Sequence, residues 1–266
     1  FWTSYLAIVE LSRATPVVVP TSFDEGFALT VDRLESMRTP ATRGLFLNSP
    51  SNPSGAVMDQ ETLERICAWA GDHGIWILSD EIYRRLHYAG SAAPSVFDVE
   101  DRPEHVVAMD GMSKAFSMPG WRIGWAVGPP DLIKKASDLQ SQTTSAAAGP
   151  SQFAAAAVLA SEGRETVIAE FKEILDRRRR SAHAELQGIE GFDVPLPPGA
   201  IYLYGRIGGG NTDSARIAEA LLQEAGVACV PGEAFGTPGF LRLNFSVADE
   251  VLARGAELLS DWFSGR

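Results

Sequence analysis

Cysteine, lysine and long apolar runs are all scarce in this 266-residue chain. The two cysteines, Cys67 and Cys229, lie far apart, and neither has a second cysteine or a histidine at metal-ligand spacing. This pattern predicts neither a disulfide framework nor a metal site, and it favours a reducing, cytoplasmic compartment. No apolar run approaches the roughly 18 residues of a transmembrane helix. The net charge of −11 argues against nucleic acid or an anionic membrane as a partner, because either selects a basic surface.

Short apolar and β-branched runs alternate with segments of helical periodicity in the first part of the chain. Apolar runs that are separated by helices indicate a mostly parallel sheet covered on both faces, and therefore an α/β fold. Asp59 is the expected N-cap of the helix between the second and third runs. The predicted strands are residues 17–20, 43–48, 75–80, 105–109 and 122–128.

The pattern changes after Gly149-Pro150. An alanine-rich helix at residues 151–160 leads into a long charged helix at about residues 165–187. Short strands and helices then follow one another, including the apolar segments "AIYLYGRI", "VACV" and "FLRLNFS". This order predicts a large domain of residues 1–160 and a smaller α+β domain of residues 161–266.

Polar side chains stand where the predicted strands end. Asp80 closes the third strand, Tyr83 follows three residues later, and Asn52 lies in a loop that two prolines stiffen. Ligands of parallel sheets bind beyond the carboxyl ends of the strands, so we expect these side chains at one edge. Arg242 lies inside an apolar strand, where an unpaired charge is costly.

Lys114 is one of only four lysines among 23 basic residues, so this chain normally supplies positive charge with arginine. It stands between Ser113 and an apolar stretch, ahead of Arg122 in a Gly-Trp-Arg turn. An amine can lose its proton and form an imine with a carbonyl, which a guanidinium cannot do. The guanidinium of Arg122 suits a phosphate.

Each of these residues also has an ordinary structural interpretation. Asn52 could be a turn residue, Asp80 a helix N-cap, Tyr83 a core aromatic and Lys114 a surface residue, and the two arginines could pair with buried carboxylates. Together they describe one cofactor, pyridoxal 5′-phosphate. An amine forms an imine with its carbonyl, a carboxylate keeps its ring nitrogen protonated, and cations hold its phosphate.

Four segments occur in the order found in fold-type I aminotransferases of class I and II: "NPSG", "SDEIY", "MSKAF…GWRIGW" and "LRLNFS". The chain resembles most the bacterial branch similar to aspartate aminotransferase, through "SKAFSMPGWRIG" and "LQSQTTS". The resemblance covers essentially the whole chain. It implies a pyridoxal-phosphate enzyme that moves an amino group between an amino acid and a 2-oxo acid. It also implies a homodimer with its active sites at the subunit interface.

The resemblance implies a role for each matching residue. Lys114 is the Schiff-base lysine and carries a proton, Asp80 pairs with the ring nitrogen, and Tyr83 and Asn52 hydrogen-bond the phenolic oxygen. Arg242, assisted by Asn52, clamps the α-carboxylate of the substrate. The remaining matches are Ser113 and Arg122 for the phosphate, Trp2 for stacking on the ring, and residues 141–145 for facing the partner's site.

The chain departs from the family pattern in two places. Gly111 stands where the family often has a serine that contacts the phosphate. The family's phosphate-binding helix N-terminus, its partner-contacting tyrosine and its N-terminal arm precede the stretch that matches Phe1. The chain is therefore expected to be an aminotransferase that lacks its N-terminal part.

Several functions stay open at this point. The first is transamination, for which the resemblance favours aspartate or another acidic or aromatic amino acid. The same scaffold also supports β-elimination or cyclisation of amino acids. Two alternatives lie outside catalysis: a domain that binds pyridoxal phosphate as the effector of a transcription regulator, and a truncated chain without activity.

Overall fold

A four-stranded sheet is the framework of the larger of two compact units in the computed structural model, which describes residues 1–90, 92–210 and 213–265. The sheet order is β1-β2-β3-β4, with the first three strands parallel and β4 antiparallel to β3. The mostly parallel sheet that the sequence predicts is therefore confirmed. The strands are β1 (Gly44–Asn48), β2 (Trp76–Asp80), β3 (Val106–Gly111) and β4 (Gly124–Val127).

The antiparallel direction of β4 follows from its connection to β3. A parallel neighbour needs a crossover that returns the chain to the other end of the sheet, usually through an α-helix. Residues 112–123 instead form turns and the short 3-10 helix Pro119–Trp121, so the chain returns beside the strand it has just left. This same short connection carries Lys114.

Residues 17–20 were predicted as a strand, and that prediction is wrong. β-branched residues favour an extended backbone, but a strand also needs a hydrogen-bonded neighbour. In the described chain these residues have no strand partner, and β1 pairs only with β2. Val17 and Val18 are exposed, while Val19 packs against the core of the unit.

Helix α3 (Gln60–Asp72) shows how the larger unit buries its apolar residues. Asp59 is its N-cap, as predicted, because its Oδ1 accepts a hydrogen bond of 2.8 Å from the Thr62 amide. One face of α3 is buried in the cluster formed with β1, β2 and β3. The other helices of this unit are α2 (Val31–Met37), α4 (Pro130–Thr143) and α5 (Gly149–Ala160).

The smaller unit comprises residues 1–16, 51–55 and 172–266, and the larger unit residues 17–50 and 56–171. Its sheet is antiparallel in the order β5-β6-β8-β7, and Tyr204, Leu241 and Phe245 are fully buried around it. The strands are β5 (Phe192–Asp193), β6 (Tyr202–Ile207), β7 (Val230–Pro231) and β8 (Phe240–Asn244).

One helix, α6 (Arg164–Leu186), belongs partly to each unit. The unit boundary, between residues 171 and 172, lies inside α6, and the domain division after residue 160 stays a prediction. None of the helices in the described chain combines the length and the apolarity of a membrane span. The helices of the smaller unit are α1 (Ser4–Leu11), the later part of α6, α7 (Ser214–Ala220), which continues into the π-helical turn Leu221–Ala225, and α8 (Asp249–Ser264).

Candidate active site

The carboxyl end of β2 places Asp80 at the edge of the larger unit's sheet. Asp80 stands in register with Asn48 of β1 and Met109 of β3, so the three parallel strands end side by side. Asn48 Nδ2 donates a 3.0 Å hydrogen bond to the Asp80 carbonyl. The Asp80 carboxylate accepts one of 3.1 Å from the Ile82 amide, which turns the chain directly after the strand.

That turn brings Tyr83 beside Lys114. Tyr83 is 3% exposed, and the ammonium nitrogen of Lys114 lies 5.5 Å from the centre of its ring. The loop that carries Lys114 is closed by backbone bonds from Met112 to Ile123 and from Met118 to Met112, each 3.1 Å. The larger unit therefore brings together an amine and a phenol that are distant in sequence.

Gly111, the first departure from the family pattern, has a structural cause. It ends β3 opposite Gly124 of β4. A Cβ at position 111 would lie 2.9 Å from the Ile123 carbonyl oxygen and 3.0 Å from the Gly124 Cα, and both of these are backbone atoms. A serine there would push β3 and β4 apart, so this chain has no room for that side chain.

Replacing Gly111 with serine is expected to destabilise the chain by about 1–3 kcal/mol, because the added side chain overpacks a backbone contact. Urea unfolding followed by circular dichroism measures the change. Gly120→Ser is the matched control, since a Cβ at Gly120 meets nothing within 4 Å. Equal stability of the two variants would contradict this account of Gly111.

Ser113 and Arg122 both lie in the loop of residues 112–123, which we call the lysine loop. Ser113 is half-buried directly before Lys114. Arg122 is exposed, has a left-handed backbone with φ of 51°, and donates a 2.9 Å hydrogen bond from Nη1 to the Pro119 carbonyl. The guanidinium is thus available to an anion, and phosphate binding by these two residues stays a prediction.

Asn52 and Arg242 meet in the smaller unit. The Arg242 Nη1 donates a 2.8 Å hydrogen bond to Asn52 Oδ1, and Asn52 is 6% exposed. Within the described residues, no carboxylate lies at ion-pair distance from Arg242. Its charge is therefore available to a carboxylate from outside the chain, for which a guanidinium is well suited.

Two aromatic residues that were not predicted from the sequence, Tyr202 and Phe235, contact the guanidinium of Arg242. Its guanidinium carbon lies 4.3 Å from the ring centre of Tyr202 and 4.9 Å from that of Phe235. Such contacts fix the plane of a guanidinium. Tyr202 and Tyr204 are two residues apart, a spacing that places both side chains on the same face of a strand. This spacing was the available sequence signal for Tyr202, and in the structure β6 pairs with β8, the strand of Arg242. No sequence signal identified Phe235.

Trp2 lies just before α1 in the smaller unit. It is 41% exposed, and its ring meets that of Tyr5 edge-on at 5.5 Å. Its stacking on the cofactor ring stays a prediction. Residues 141–145 comprise the last three residues of α4 and the two that follow it, and all five are exposed. Their contact with a partner subunit also stays a prediction.

Asp110 of β3 is a second carboxylate near the end of β2, and no sequence pattern singled it out. Burial raises the pKa of Asp110 to about 6, and the charges of Glu81 and Asp80 act in the same direction. The Gly111 amide, which donates a 2.6 Å hydrogen bond to Asp110 Oδ1, and the charge of Arg84 act in the opposite direction. Burial is the largest of these effects.

The raised pKa makes stability depend on pH. In the unfolded chain the pKa of Asp110 returns to about 3.8, so the folded state binds the proton more tightly. The contribution of Asp110 to stability therefore falls as pH rises from about 4 to about 6 and is constant above that range. At pH 8, Asp110→Asn is expected to be more stable than the wild type by about 3 kcal/mol.

Urea unfolding at pH 4 and pH 8 tests this difference, which is expected to shrink toward zero at the lower pH. Asn keeps the oxygen that accepts from the Gly111 amide, so the substitution removes mainly the charge. Asp101→Asn, at an exposed side chain, is the control. The same gain from both variants at pH 8 would show that burial at position 110 is not the cause.

Residues of the larger unit fit pyridoxal phosphate by the chemistry of their groups. Lys114 supplies an amine beside the phenol of Tyr83, Asp80 a carboxylate at the strand edge, and Ser113 and Arg122 a hydroxyl and a guanidinium in one loop. In the described chain, no group of histidine, cysteine or acidic residues is arranged to hold a metal ion. The donor set matches an organic cofactor with an aldehyde and a phosphate.

The fold is that of the solved aminotransferases. The aromatic aminotransferase from Pyrococcus horikoshii superposes with a TM-score of 0.93 at 33% identity, over 99% of this chain and 71% of that one. A single mutant of the aspartate aminotransferase from Thermus thermophilus gives 0.92 at 35% identity, over 98% and 67%. Both confirm the predicted pyridoxal-phosphate fold of type I.

The chain belongs to the family "Aminotransferase class I and II", whose model matches residues 1–259. It is 39% identical to an aspartate aminotransferase of Streptomyces avermitilis, over 99% of this chain and 67% of that protein. The predicted family resemblance is therefore confirmed. The chain spans about two thirds of the length of the curated relatives that it matches. Enzymes of this type use pyridoxal phosphate.

Proposed function

We propose that this chain belongs to an enzyme that transfers an amino group between an L-amino acid and a 2-oxo acid. The observation that carries the proposal is the placement of Lys114 beside the Tyr83 ring in the loop after β3. The relatives reported above are all aminotransferases, which favours catalysis over an effector domain. The proposed substrates are aspartate or another acidic or aromatic amino acid and the matching 2-oxo acids.

When bound, pyridoxal phosphate supplies an aldehyde for the amine and a ring that withdraws electrons from the substrate's α-carbon. Lys114 would hold it through its Nζ, Asp80 and Tyr83 through their oxygens, and Ser113 and Arg122 at its phosphate. The negative charge of Asp80 favours a protonated nitrogen next to it. The phenol of Tyr83 donates or accepts a hydrogen bond.

Lys114 has a second task as the group that moves a proton. With the cofactor bound, the neutral amine of Lys114 would take the proton from the substrate's α-carbon and return it to the cofactor carbon that carried the aldehyde, which is general base and general acid catalysis by one residue. The half-buried setting of Lys114 limits contact with water. Its closed loop holds the nitrogen in one place, and such positioning contributes to the rate.

Arg242 orients the substrate in this proposal. Its guanidinium binds the α-carboxylate through two parallel hydrogen bonds, while Asn52 Oδ1 accepts one bond from Nη1 and leaves other donors free. Tyr202 and Phe235 keep the guanidinium plane fixed before the substrate arrives. A prearranged clamp loses little conformational entropy on binding.

We also propose a cytoplasmic homodimer. Leu139 on α4 is 66% exposed and Phe153 on α5 is 81% exposed, and both are apolar. Exposed apolar side chains of this size are typical of surfaces that another subunit covers. Sedimentation of the purified chain measures its mass in solution, and a monomer at high concentration would overturn this part of the proposal.

Titration of the purified chain with pyridoxal phosphate tests the function. We expect a visible absorption band from the bound cofactor, then its loss on addition of L-aspartate or L-phenylalanine, with formation of the corresponding 2-oxo acid in equal amount. A thermal melt shows whether the chain is folded. A folded chain that gives no band would overturn the proposal. A band that no amino acid removes would favour the effector-domain alternative.

A further inference from the structure

Glu81 is a buried carboxylate that none of the steps above uses. It follows Asp80 directly and is 5% exposed. A buried charge is costly unless hydrogen bonds and an opposite charge compensate it, so its partners indicate its task. In the described chain those partners lie on both sides of the turn that carries Asp80 and Tyr83.

Three donors converge on one oxygen of Glu81. The hydroxyls of Ser79 and Ser95 donate to Oε1 at 3.1 and 3.0 Å, and the Val96 amide donates to it at 3.0 Å. Ser79 belongs to β2, whereas Ser95 and Val96 begin the 3-10 helix Val96–Asp98. The carboxylate therefore ties the end of β2 to a segment 14 residues further along the chain.

The other oxygen of Glu81 faces Arg84, which makes a second connection to the same later segment of the chain. Arg84 Nε lies 4.0 Å from Glu81 Oε2 and donates a 3.0 Å hydrogen bond to the Ala93 carbonyl. Its Nη2 donates a 2.8 Å hydrogen bond to Asp98 Oδ2, and the Ala93 amide donates one of 2.9 Å back to the Arg84 carbonyl. Residues 79–84 are thus anchored at both ends to residues 93–98.

Asp80 and Tyr83 are the two residues of this anchored segment that face the cofactor in the proposed function. The Glu81 amide also donates a 2.8 Å hydrogen bond to the Met109 carbonyl, which fixes the segment against β3 just before the lysine loop. Groups that bind a cofactor act only when they are held within about 0.5 Å of their working positions. A flexible turn after β2 would not provide that precision.

We propose that Glu81 is a positioning residue of the cofactor site, which acts by holding the turn of Asp80 and Tyr83 through the three hydrogen bonds to its Oε1. This inference rests on the proposed function. It assigns the effect to hydrogen bonding at one oxygen and not to the charge of the side chain. A glutamine, whose amide oxygen can accept from the same donors without the charge, should therefore largely replace it.

The test is the dissociation constant of pyridoxal phosphate for a set of variants, measured by absorbance titration. We expect Glu81→Ala to weaken binding at least about tenfold and Ser95→Ala, which removes one donor, about threefold. Glu81→Gln is expected to stay within about twofold of the wild type. If Glu81→Ala does not fold, Ser95→Ala and Glu81→Gln decide the outcome.

Two controls separate positioning from general stability and charge. Leu63→Ala opens a cavity in α3 of the same unit without touching the turn, so it lowers stability but should leave affinity unchanged. Glu104→Gln makes the same charge change at an exposed site. Equal affinity of the wild type, Glu81→Ala and Ser95→Ala would overturn the inference. The inference would also be overturned if Glu81→Gln lost as much affinity for pyridoxal phosphate as Glu81→Ala. The same holds if Leu63→Ala lost as much affinity as Glu81→Ala. A folded wild-type chain without any binding would overturn the proposed function itself, and the inference with it.

Discussion

Lys114→Ala is expected to lower the rate of amino-group transfer by at least about 1,000-fold, because it removes the only amine placed next to Tyr83 in the described chain. Lys114 is the one residue of the lysine loop, residues 112–123, whose side chain can form an imine. Single-turnover kinetics with aspartate and stoichiometric cofactor measure this rate directly. The variant should also lose the visible absorption band while it keeps its fold.

Lys114→Arg tests whether the reaction needs the amine of Lys114 or only its positive charge. Arginine keeps the positive charge but does not deprotonate in proteins, so it should be as inactive as alanine. Lys135→Ala is the control, since Lys135 is an exposed residue of α4. Appreciable transfer by Lys114→Arg would mean that the charge of Lys114, and not its amine chemistry, is what the site requires.

Arg242→Gln is expected to lower kcat/KM for amino acids by about 100-fold. The change removes a guanidinium that has no carboxylate partner among the described residues and that Asn52, Tyr202 and Phe235 hold in place. Glutamine is polar but cannot bind a carboxylate through two charged hydrogen bonds. The affinity for pyridoxal phosphate should change little, because the proposed task of Arg242 concerns the substrate alone.

A primary amine without a carboxylate distinguishes this role from a structural one. Its slow reaction should proceed equally in the wild type and in Arg242→Gln, because it makes no use of the guanidinium. Arg254→Gln is the control, since its side chain is 61% exposed on α8. A loss of the same size for the amine and for the amino acids would show that Arg242 stabilises the strand and does not orient the substrate.

Local sequence patterns predicted most of the secondary structure. The four strands of the larger unit's sheet and helix α3 appear close to their expected positions, since apolar periodicity and the Asp59 cap act over a few residues. The strand predicted at residues 17–20 does not form, and the reason is not local. Whether an extended segment joins a sheet depends on a free neighbouring edge, and no local pattern records that.

The sequence by itself determined the family and the chemical inventory. Motifs with fixed spacing name the amine, the carboxylate, the phenol and the arginines, because each group's chemistry belongs to its residue type. The tertiary structure decided how these groups are held. It placed Lys114 beside Tyr83, enclosed Arg242 between Tyr202 and Phe235, and left no room for a side chain at Gly111. These are contacts between residues distant in sequence, and they depend on strand register and backbone approach, which only the folded chain defines.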